Sequence, residues 1–239
     1  MPFITYTICM MVTFYLWLIN MAHFSLDKKF IFIHVPKTGG VAILDYLNRV
    51  KDIQKVQDIR DAMGKPRSGW DDNHYYYSTT MDTLWAHYDY METFNDFTVF
   101  GVIRNPFDRM VSMYLHRLRK PKYNTADDNR VLARGFEYWL CNTRHRADKH
   151  ITRRSQMEWF DNCVNPQLIC QSQLNTEWLK KVSNTPLMEG ALPLKHTSGK
   201  ALSSYDHYHT EVTVDFISEH FARDIEWGDY RSPKVLYEV

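Results

Sequence analysis

The sequence contains only four cysteines in 239 residues, and none of them forms a Cys-x-x-Cys pair. No cysteine stands beside histidines at the spacing of a zinc site, so we expect no metal centre. The formal net charge is only +1, and we expect no nucleic-acid partner. With 44% hydrophobic and 24% charged residues, the chain is typical of a soluble globular protein rather than a disordered or collagen-like one.

Long apolar runs are missing except at the N-terminus, where Phe3–Ala22 is almost free of charge. A bilayer-spanning helix needs about 20 apolar residues, so residues 1–22 can be interpreted as a membrane anchor. The run has no basic residue before it and contains several polar ones, and an upstream start-site artefact before a soluble domain explains it as well. We predict a single domain at residues 23–239. Whether the protein is cytoplasmic or associates with a membrane through residues 3–22 stays open.

Charge is unevenly distributed along the chain. Residues 117–154 contain 11 Lys/Arg against 4 Asp/Glu, whereas residues 155–239 contain 7 against 12. The basic stretch can attract an anionic acceptor or nucleic acid, but its interleaved acids suit a solvated helical face equally well. Cys163 and Cys170 can pair in an oxidising compartment, and buried free thiols give the same sequence.

Two strand–loop–helix units are predicted from the hydrophobic pattern. The first is a strand over Lys29–Val35 followed by a helix over Val41–Val50, and the second is a strand over Phe97–Arg104 followed by a helix after Pro106. Between them we expect a loop-rich insertion over Lys51–Tyr90. Successive units of this kind predict an α/β fold, a single P-loop-like domain whose central parallel sheet is flanked by helices on both sides.

The loop of the first unit, Pro-Lys-Thr-Gly-Gly, is suited to an oxyanion. It delivers the chain into a helix N-terminus, where free backbone N–H groups and the positive end of the helix dipole meet. The glycines permit close approach of the backbone, and Lys37 adds a mobile cation. A Walker A motif is absent because the lysine precedes the glycines, which weakens a nucleotide-kinase interpretation.

The second unit contributes VIRNPFDRMVSMY, in which Arg104 ends the strand and Ser112 lies two turns into the helix. FIHVPKTGG and this segment, about seventy residues apart, closely resemble the 5′-phosphosulfate and 3′-phosphate motifs of the sulfotransferase superfamily. Their form is more similar to the carbohydrate branch, which includes heparan sulfate 2-O-sulfotransferase and chondroitin sulfotransferases, than to the phenol and steroid branch. The resemblance implies 3′-phosphoadenosine 5′-phosphosulfate as the sulfuryl donor and a carbohydrate or other hydroxyl- or amine-bearing acceptor.

Carried over to this sequence, the resemblance implies two groups of donor-binding residues and a weaker third group. Asp108 and Arg109 are expected to brace the helix. Val41 and Ala42 replace the two hydroxyl residues that commonly follow the glycines, so only backbone donors remain there. The implied groups are Lys37, Thr38, Gly39, Gly40 and Val41 for the 5′-phosphosulfate, Arg104 and Ser112 for the 3′-phosphate, and Ser198 and Lys200 in a terminal loop.

His87, in LWAHYDY, is our candidate for the catalytic base because it precedes the Arg104 strand, where the resembling carbohydrate enzymes have their catalytic histidine. Its alternative is an ordinary surface histidine beside Tyr88, and His34 is expected to be structural. Lys37 is the candidate to stabilise the leaving oxygen. The acceptor platform has aromatic candidates that also suit core packing: Trp70, Tyr75, Tyr76, Tyr77 and Trp85.

Two other functions stay open at this point. A phosphotransferase could use the same loop for ATP, although the sequence has no clear acidic Mg²⁺ constellation. A non-catalytic glycan- or nucleotide-binding protein of the same fold is the other, and Val41 and Ala42 are the residues that favour it.

Overall fold

A five-stranded mixed sheet lies at the centre of the computed structural model, which describes residues 22–49, 52–63, 77–88, 94–119, 124–143, 151–185, 205–233 and 235. The strand order is β3-β1-β2-β4-β5. β2, β4 and β5 are parallel, whereas β1 is antiparallel to both of its neighbours. The strands are β1 (His23–Ser25), β2 (Phe30–Phe32), β3 (Gln54–Lys55), β4 (Thr98–Ile103) and β5 (Gln167–Cys170).

Helices cover both faces of this sheet, which confirms the predicted α/β class with its parallel core. The α-helices are α1 (Gly40–Leu47), α2 (Val56–Ala62), α3 (Tyr77–Tyr88), α4 (Pro106–Leu118), α5 (Ala126–Ala133), α6 (Phe136–Asn142), α7 (Thr176–Ser183), α8 (Glu211–His220) and α9 (Ala222–Gly228). Alternate strand residues point to opposite faces, so Ile31 packs with α2 and α3 while Phe32 packs with α1 and α7.

A second apolar cluster joins α4, α5, α6 and α8. The aromatic rings of this cluster include Tyr114, Phe136 and Trp139, whose ring centroids lie 5.6 to 6.2 Å apart. Asn105 caps α4 by accepting a hydrogen bond from the N–H of Phe107, and Pro106 is the first helical residue. The strand that ends at Ile103 is therefore followed at once by a firmly packed helix.

The structure differs from the sequence predictions in two local respects. β2 begins at Phe30 rather than at Lys29, because Lys29 has a positive φ of 54° in the turn that joins β1 to β2. The expected loop-rich insertion over Lys51–Tyr90 contains β3, α2 and α3 as well as undescribed residues.

The cysteines that the structure describes, Cys141, Cys163 and Cys170, are free thiols. Cys163 and Cys170 are therefore not paired in this structure. Burial raises the pKa of the Cys163 thiol to about 11, which keeps it protonated and unreactive near neutral pH. In the described part of the chain, no helix has both the length and the apolar character needed to cross a bilayer. Most of the apolar segment 1–22 lies outside that part.

Candidate functional site

The loop between β2 and α1 has the backbone conformation of an anion cradle. Lys37 and Gly39 have positive φ angles of 69° and 92°, and Gly39 is the N-cap of α1 with no side-chain cap hydrogen bond. The buried Thr38 hydroxyl donates to the Val35 carbonyl at 2.9 Å, which ties the loop back to the strand. Successive positive and negative φ values turn neighbouring N–H groups toward one side, the geometry of an anion-binding nest.

Both glycines of the loop are required by their surroundings. A Cβ on Gly40 would overlap the imidazole of His34, which is buried beneath the loop and stacked on Phe32. A Cβ on Gly39 would lie 3.1 Å from the side-chain nitrogen of Gln171, and its φ disfavours any other residue. His34 therefore occupies the packing position expected of a structural histidine.

Arg104 connects the two sequence motifs. It follows β4 directly, and its Nη1 donates to the Lys37 carbonyl at 3.2 Å. Its Nε is buried and has no hydrogen-bond partner among the described atoms. A buried guanidinium N–H without an acceptor is costly, and a phosphate oxygen is the acceptor that suits it. The site therefore fits an anionic ligand at the carboxyl ends of the parallel strands.

The backbone of Arg104 is held by Gln156, a residue that the sequence analysis missed. The Arg104 N–H donates to Gln156 Oε1 at 3.0 Å, and Gln156 Nε2 donates to the Arg104 carbonyl at 2.7 Å. Gln156 in turn is fixed by the fully buried carboxylate of Asp224 in α9. The Asp224 carboxylate also accepts from the Ser155 hydroxyl and the Met157 N–H.

Only half of this arrangement has a signal in the sequence. Ser155 and Glu158 form a capping box, which the Ser-x-x-Glu pattern indicates. The pairing of Gln156 with Asp224 spans 68 residues and has no local pattern.

Arg109 of α4 holds the loop between β2 and α1 from the protein interior. The side chain is fully buried in α4 and donates from Nε to the Pro36 carbonyl at 3.0 Å. Its guanidinium lies near the rings of Trp159 and Phe221, at 5.6 and 6.0 Å from their centroids. Arg109 therefore ties α4 to the loop between β2 and α1.

Asp108 occupies a partly buried position close to Arg104. Burial raises the pKa of its carboxyl group above the usual value, Arg104 opposes that rise, and Asp206 adds to it. The neighbourhood thus carries acidic groups as well as the arginine.

The remaining predicted donor-binding residues are less closely tied to this centre. Val41 is half-buried in the first turn of α1, and Ser112 is half-buried in the middle of α4. Ser198 and Lys200 lie outside the described residues, as do Trp70, Tyr75 and Tyr76. The side chain of Tyr77 is also not described, and Trp85 packs at the border of the apolar core.

His87 lies in the last turn of α3, and its side chain is exposed. Its ring makes an edge-to-face contact with Tyr88, with centroids 4.7 Å apart. The Tyr88 hydroxyl donates to Gln54 at 3.0 Å, which directs this end of α3 toward the antiparallel edge of the sheet. The role of His87 as the base stays a prediction.

Two arginines of the basic stretch pair with acids of the same stretch. Arg130 lies 2.9 Å from Asp127 and both side chains are exposed, whereas Arg117 lies 3.6 Å from Asp128 and both are mostly buried. The first pair belongs to a solvated helical face, and the second joins α4 to α5. Across the described ranges, no group of three or more His, Cys, Asp or Glu side chains has the arrangement of a metal site.

The fold and the site together define a P-loop-like α/β protein with an anion site built from two βα units. A sequence comparison then gives the family: the model described as "Sulfotransferase family" matches residues 21–210. The chain therefore belongs to the sulfotransferase family, and sulfuryl transfer is the activity that this membership supports. Searches of curated proteins and of solved structures gave no significant match.

The matched range includes the loop between β2 and α1, Arg104 and Gln156. α8 begins at Glu211, so Asp224, which holds Gln156, lies beyond the match.

Proposed function

We propose that this protein transfers a sulfuryl group from 3′-phosphoadenosine 5′-phosphosulfate to a hydroxyl or amine of a carbohydrate acceptor. The observation that carries the proposal is the meeting of both motifs at Arg104. Its Nη1 contacts the carbonyl of Lys37 while its buried Nε still has no acceptor among the described atoms. A donor with two separate phosphate groups suits a site with one cradle on the loop and one arginine beside it.

In this proposal the loop binds the 5′-phosphosulfate through the backbone N–H groups of residues 37–41 and the Lys37 ammonium. Arg104 and the Ser112 hydroxyl bind the 3′-phosphate. Ser198 and Lys200, which lie outside the described residues, are weaker candidates for donor binding. The buried Arg109 and Gln156 hold the loop and the arginine in place without touching the donor.

The reaction is an in-line displacement at sulfur. A bond forms between the acceptor oxygen or nitrogen and sulfur while the bond from sulfur to the phosphate oxygen breaks. His87 takes the acceptor proton, and Lys37 stabilises the negative charge on the departing phosphate. The products are the sulfated acceptor and 3′-phosphoadenosine 5′-phosphate, with the proton left on the base. The scheme uses no metal ion and no covalent intermediate.

A non-catalytic donor-binding protein is the second candidate, and the first turn of α1 is the observation that favours it. Val41 and Ala42 offer no side-chain hydroxyl, and the Ala42 N–H already donates to the Gly39 carbonyl at 3.0 Å. The loop therefore has fewer donors for the equatorial oxygens than a loop with two hydroxyl residues. Turnover separates the two candidates, because both require donor binding.

The test is calorimetric titration of 3′-phosphoadenosine 5′-phosphate into the protein. AMP and ATP are titrated separately, so that the affinities of the three nucleotides can be compared. We expect selective binding by the wild type and at least a tenfold loss in Arg104→Ala, since one charge-assisted hydrogen bond contributes about 1.5 to 3 kcal/mol. Arg130→Ala is the matched control, because Arg130 is 78% exposed and pairs only locally. Absence of binding by folded wild-type protein would refute the donor assignment.

Turnover is measured next by transfer of labelled sulfate from the donor to polysaccharide acceptors. His87→Ala should abolish transfer while leaving nucleotide affinity unchanged. Binding without transfer to any acceptor, by the wild type, would favour the non-catalytic candidate.

A further inference from the structure

Gln171 stands at the carboxyl end of β5, next to the strand that carries Arg104. The parallel register pairs Ile103 with Cys170, so Arg104 and Gln171 leave their strands at the same level. Carboxyl ends of neighbouring parallel strands are where ligands of such sheets bind. The sequence analysis did not select Gln171, because β5 is short and no motif surrounds it.

The carboxamide of Gln171 reaches the loop between β2 and α1. Its Nε2 lies 3.1 Å from the position that a Cβ on Gly39 would occupy, which places the amide directly over the left-handed turn of the loop. Gly39 is the N-cap of α1, so the amide lies close to the N-terminal end of that helix. A side chain at Gly39 would displace this amide, which gives a second reason for the glycine besides its φ.

The backbone of Gln171 is fixed while its side chain has no hydrogen-bond partner among the described residues. Gln171 begins a short 3₁₀ turn, and its carbonyl accepts from the Leu174 N–H at 3.3 Å. The side chain is half-buried, and its amide can present N–H groups to an anion. A half-buried amide beside the N-terminal end of α1, without a hydrogen-bond partner among the described residues, is available to donate to an oxygen of a ligand.

We propose that Gln171 binds the donor by donating a side-chain hydrogen bond to an oxygen of the 5′-phosphosulfate. The inference rests on the proposed function, because it takes the loop ligand to be that group. Gln171 then supplies from β5 a side-chain donor that Val41 and Ala42 do not supply from α1. In this arrangement the phosphosulfate lies between the loop on one side and the side-chain amide of Gln171, which follows β5, on the other.

The experiment compares three variants by calorimetric titration with 3′-phosphoadenosine 5′-phosphate. Gln171→Ala should weaken binding about ten- to hundredfold, the value of one hydrogen bond to a charged group. Gln171→Glu should weaken it further, because it keeps the size of the side chain and replaces a donor with a negative charge. Gln173→Ala, an exposed amide in the same 3₁₀ turn, is the matched control and should bind within about twofold of the wild type.

A second ligand pair tests whether the effect is local to the 5′ end. Gln171→Ala should lose affinity for AMP, which has a 5′-phosphate, and bind 3′-AMP as the wild type does. Thermal unfolding of each variant verifies that it is folded. Equal losses for both nucleotides would show that Gln171 only supports the loop and would overturn the proposal.

The two proposals fail in distinguishable ways. Wild-type affinity in Gln171→Ala and Gln171→Glu, together with loss in Arg104→Ala, would refute the role of Gln171 and leave the proposed function standing. No binding by the folded wild type would refute both.

Discussion

Asp224→Asn tests how strongly the buried carboxylate of α9 supports the site. Oδ2 of Asp224 accepts from the Gln156 N–H at 2.9 Å and from Gln156 Nε2 at 3.0 Å, and Oδ1 accepts from the Ser155 hydroxyl and the Met157 N–H. An asparagine has the same shape but carries one oxygen and one NH₂ group. Whichever way the amide is oriented, its NH₂ group faces at least one backbone N–H donor.

The magnitude follows from the number of hydrogen bonds that change. Asparagine in the better orientation turns its NH₂ toward the Ser155 hydroxyl, which can rotate to accept, and toward the Met157 N–H, which cannot. One bond to a charged acceptor is lost, the Met157 N–H keeps only its bond to the Ser155 hydroxyl at 3.1 Å, and two bonds are reduced to neutral strength. At about 1 to 3 kcal/mol for the lost bond and about 0.5 to 1 kcal/mol for each weakened one, the expected loss in the free energy of unfolding is about 2 to 4 kcal/mol.

Urea unfolding of Asp224→Asn and of the exposed control Asp229→Asn measures this difference. The control should stay within about 0.5 kcal/mol of the wild type. Because Gln156 also holds the backbone of Arg104, Asp224→Asn should weaken binding of 3′-phosphoadenosine 5′-phosphate even where it is fully folded. A loss below about 1 kcal/mol with unchanged affinity would refute the view that this network supports Arg104.

Three further perturbations address the loop and the pH dependence of stability. Gly40→Ala should lower the melting temperature and reduce donor affinity, because its Cβ overlaps the buried His34 ring; unchanged melting would contradict that packing. Arg109→Lys keeps the charge but loses the fixed geometry of the bond to the Pro36 carbonyl, so calorimetry should show about tenfold weaker binding, and wild-type affinity would count against the loop brace. Burial lowers the pKa of His209 from its ordinary value of 6.5 to about 4, so the wild type should lose on the order of 2 to 3 kcal/mol of stability as pH falls from 6.5 through 4. His209→Gln should lose less over that interval in urea unfolding at stepped pH, and an unchanged pH slope would assign the acid sensitivity to other groups.

The parts of the fold that the sequence predicted have strong local signals. The apolar run around Ile31 is buried on both sheet faces, and Asn105 and Pro106 are the cap and first residue of α4. The glycines of the loop carry the positive φ and close contact that only glycine satisfies without strain. Each of these features is determined within a few residues, so a single sequence is enough to find it.

What the sequence did not predict depends on distant partners. β3 has only two residues and exists because it pairs with β1, and β1 has only three. The helices α2 and α3 fall in a segment whose aromatic and polar residues have no clear helical period. Gln156 is fixed by Asp224 of α9, and Gln171 reaches Gly39 because β5 pairs with β4. Nothing in the immediate neighbours of either residue distinguishes it from a surface glutamine.

Arg104 and Arg109 make the loop between β2 and α1 and the second βα unit a single hydrogen-bonded assembly. Each arginine comes from the second βα unit and binds a carbonyl of the first, Arg104 that of Lys37 and Arg109 that of Pro36. With its carbonyl oxygens drawn toward the arginines, the loop is left to present N–H groups on its other side. Substitutions in the two motifs should therefore be non-additive, because residues that share one hydrogen-bonded network are energetically coupled. Grafting the loop between β2 and α1 alone onto another scaffold would transfer its sequence without the two arginines that fix its conformation.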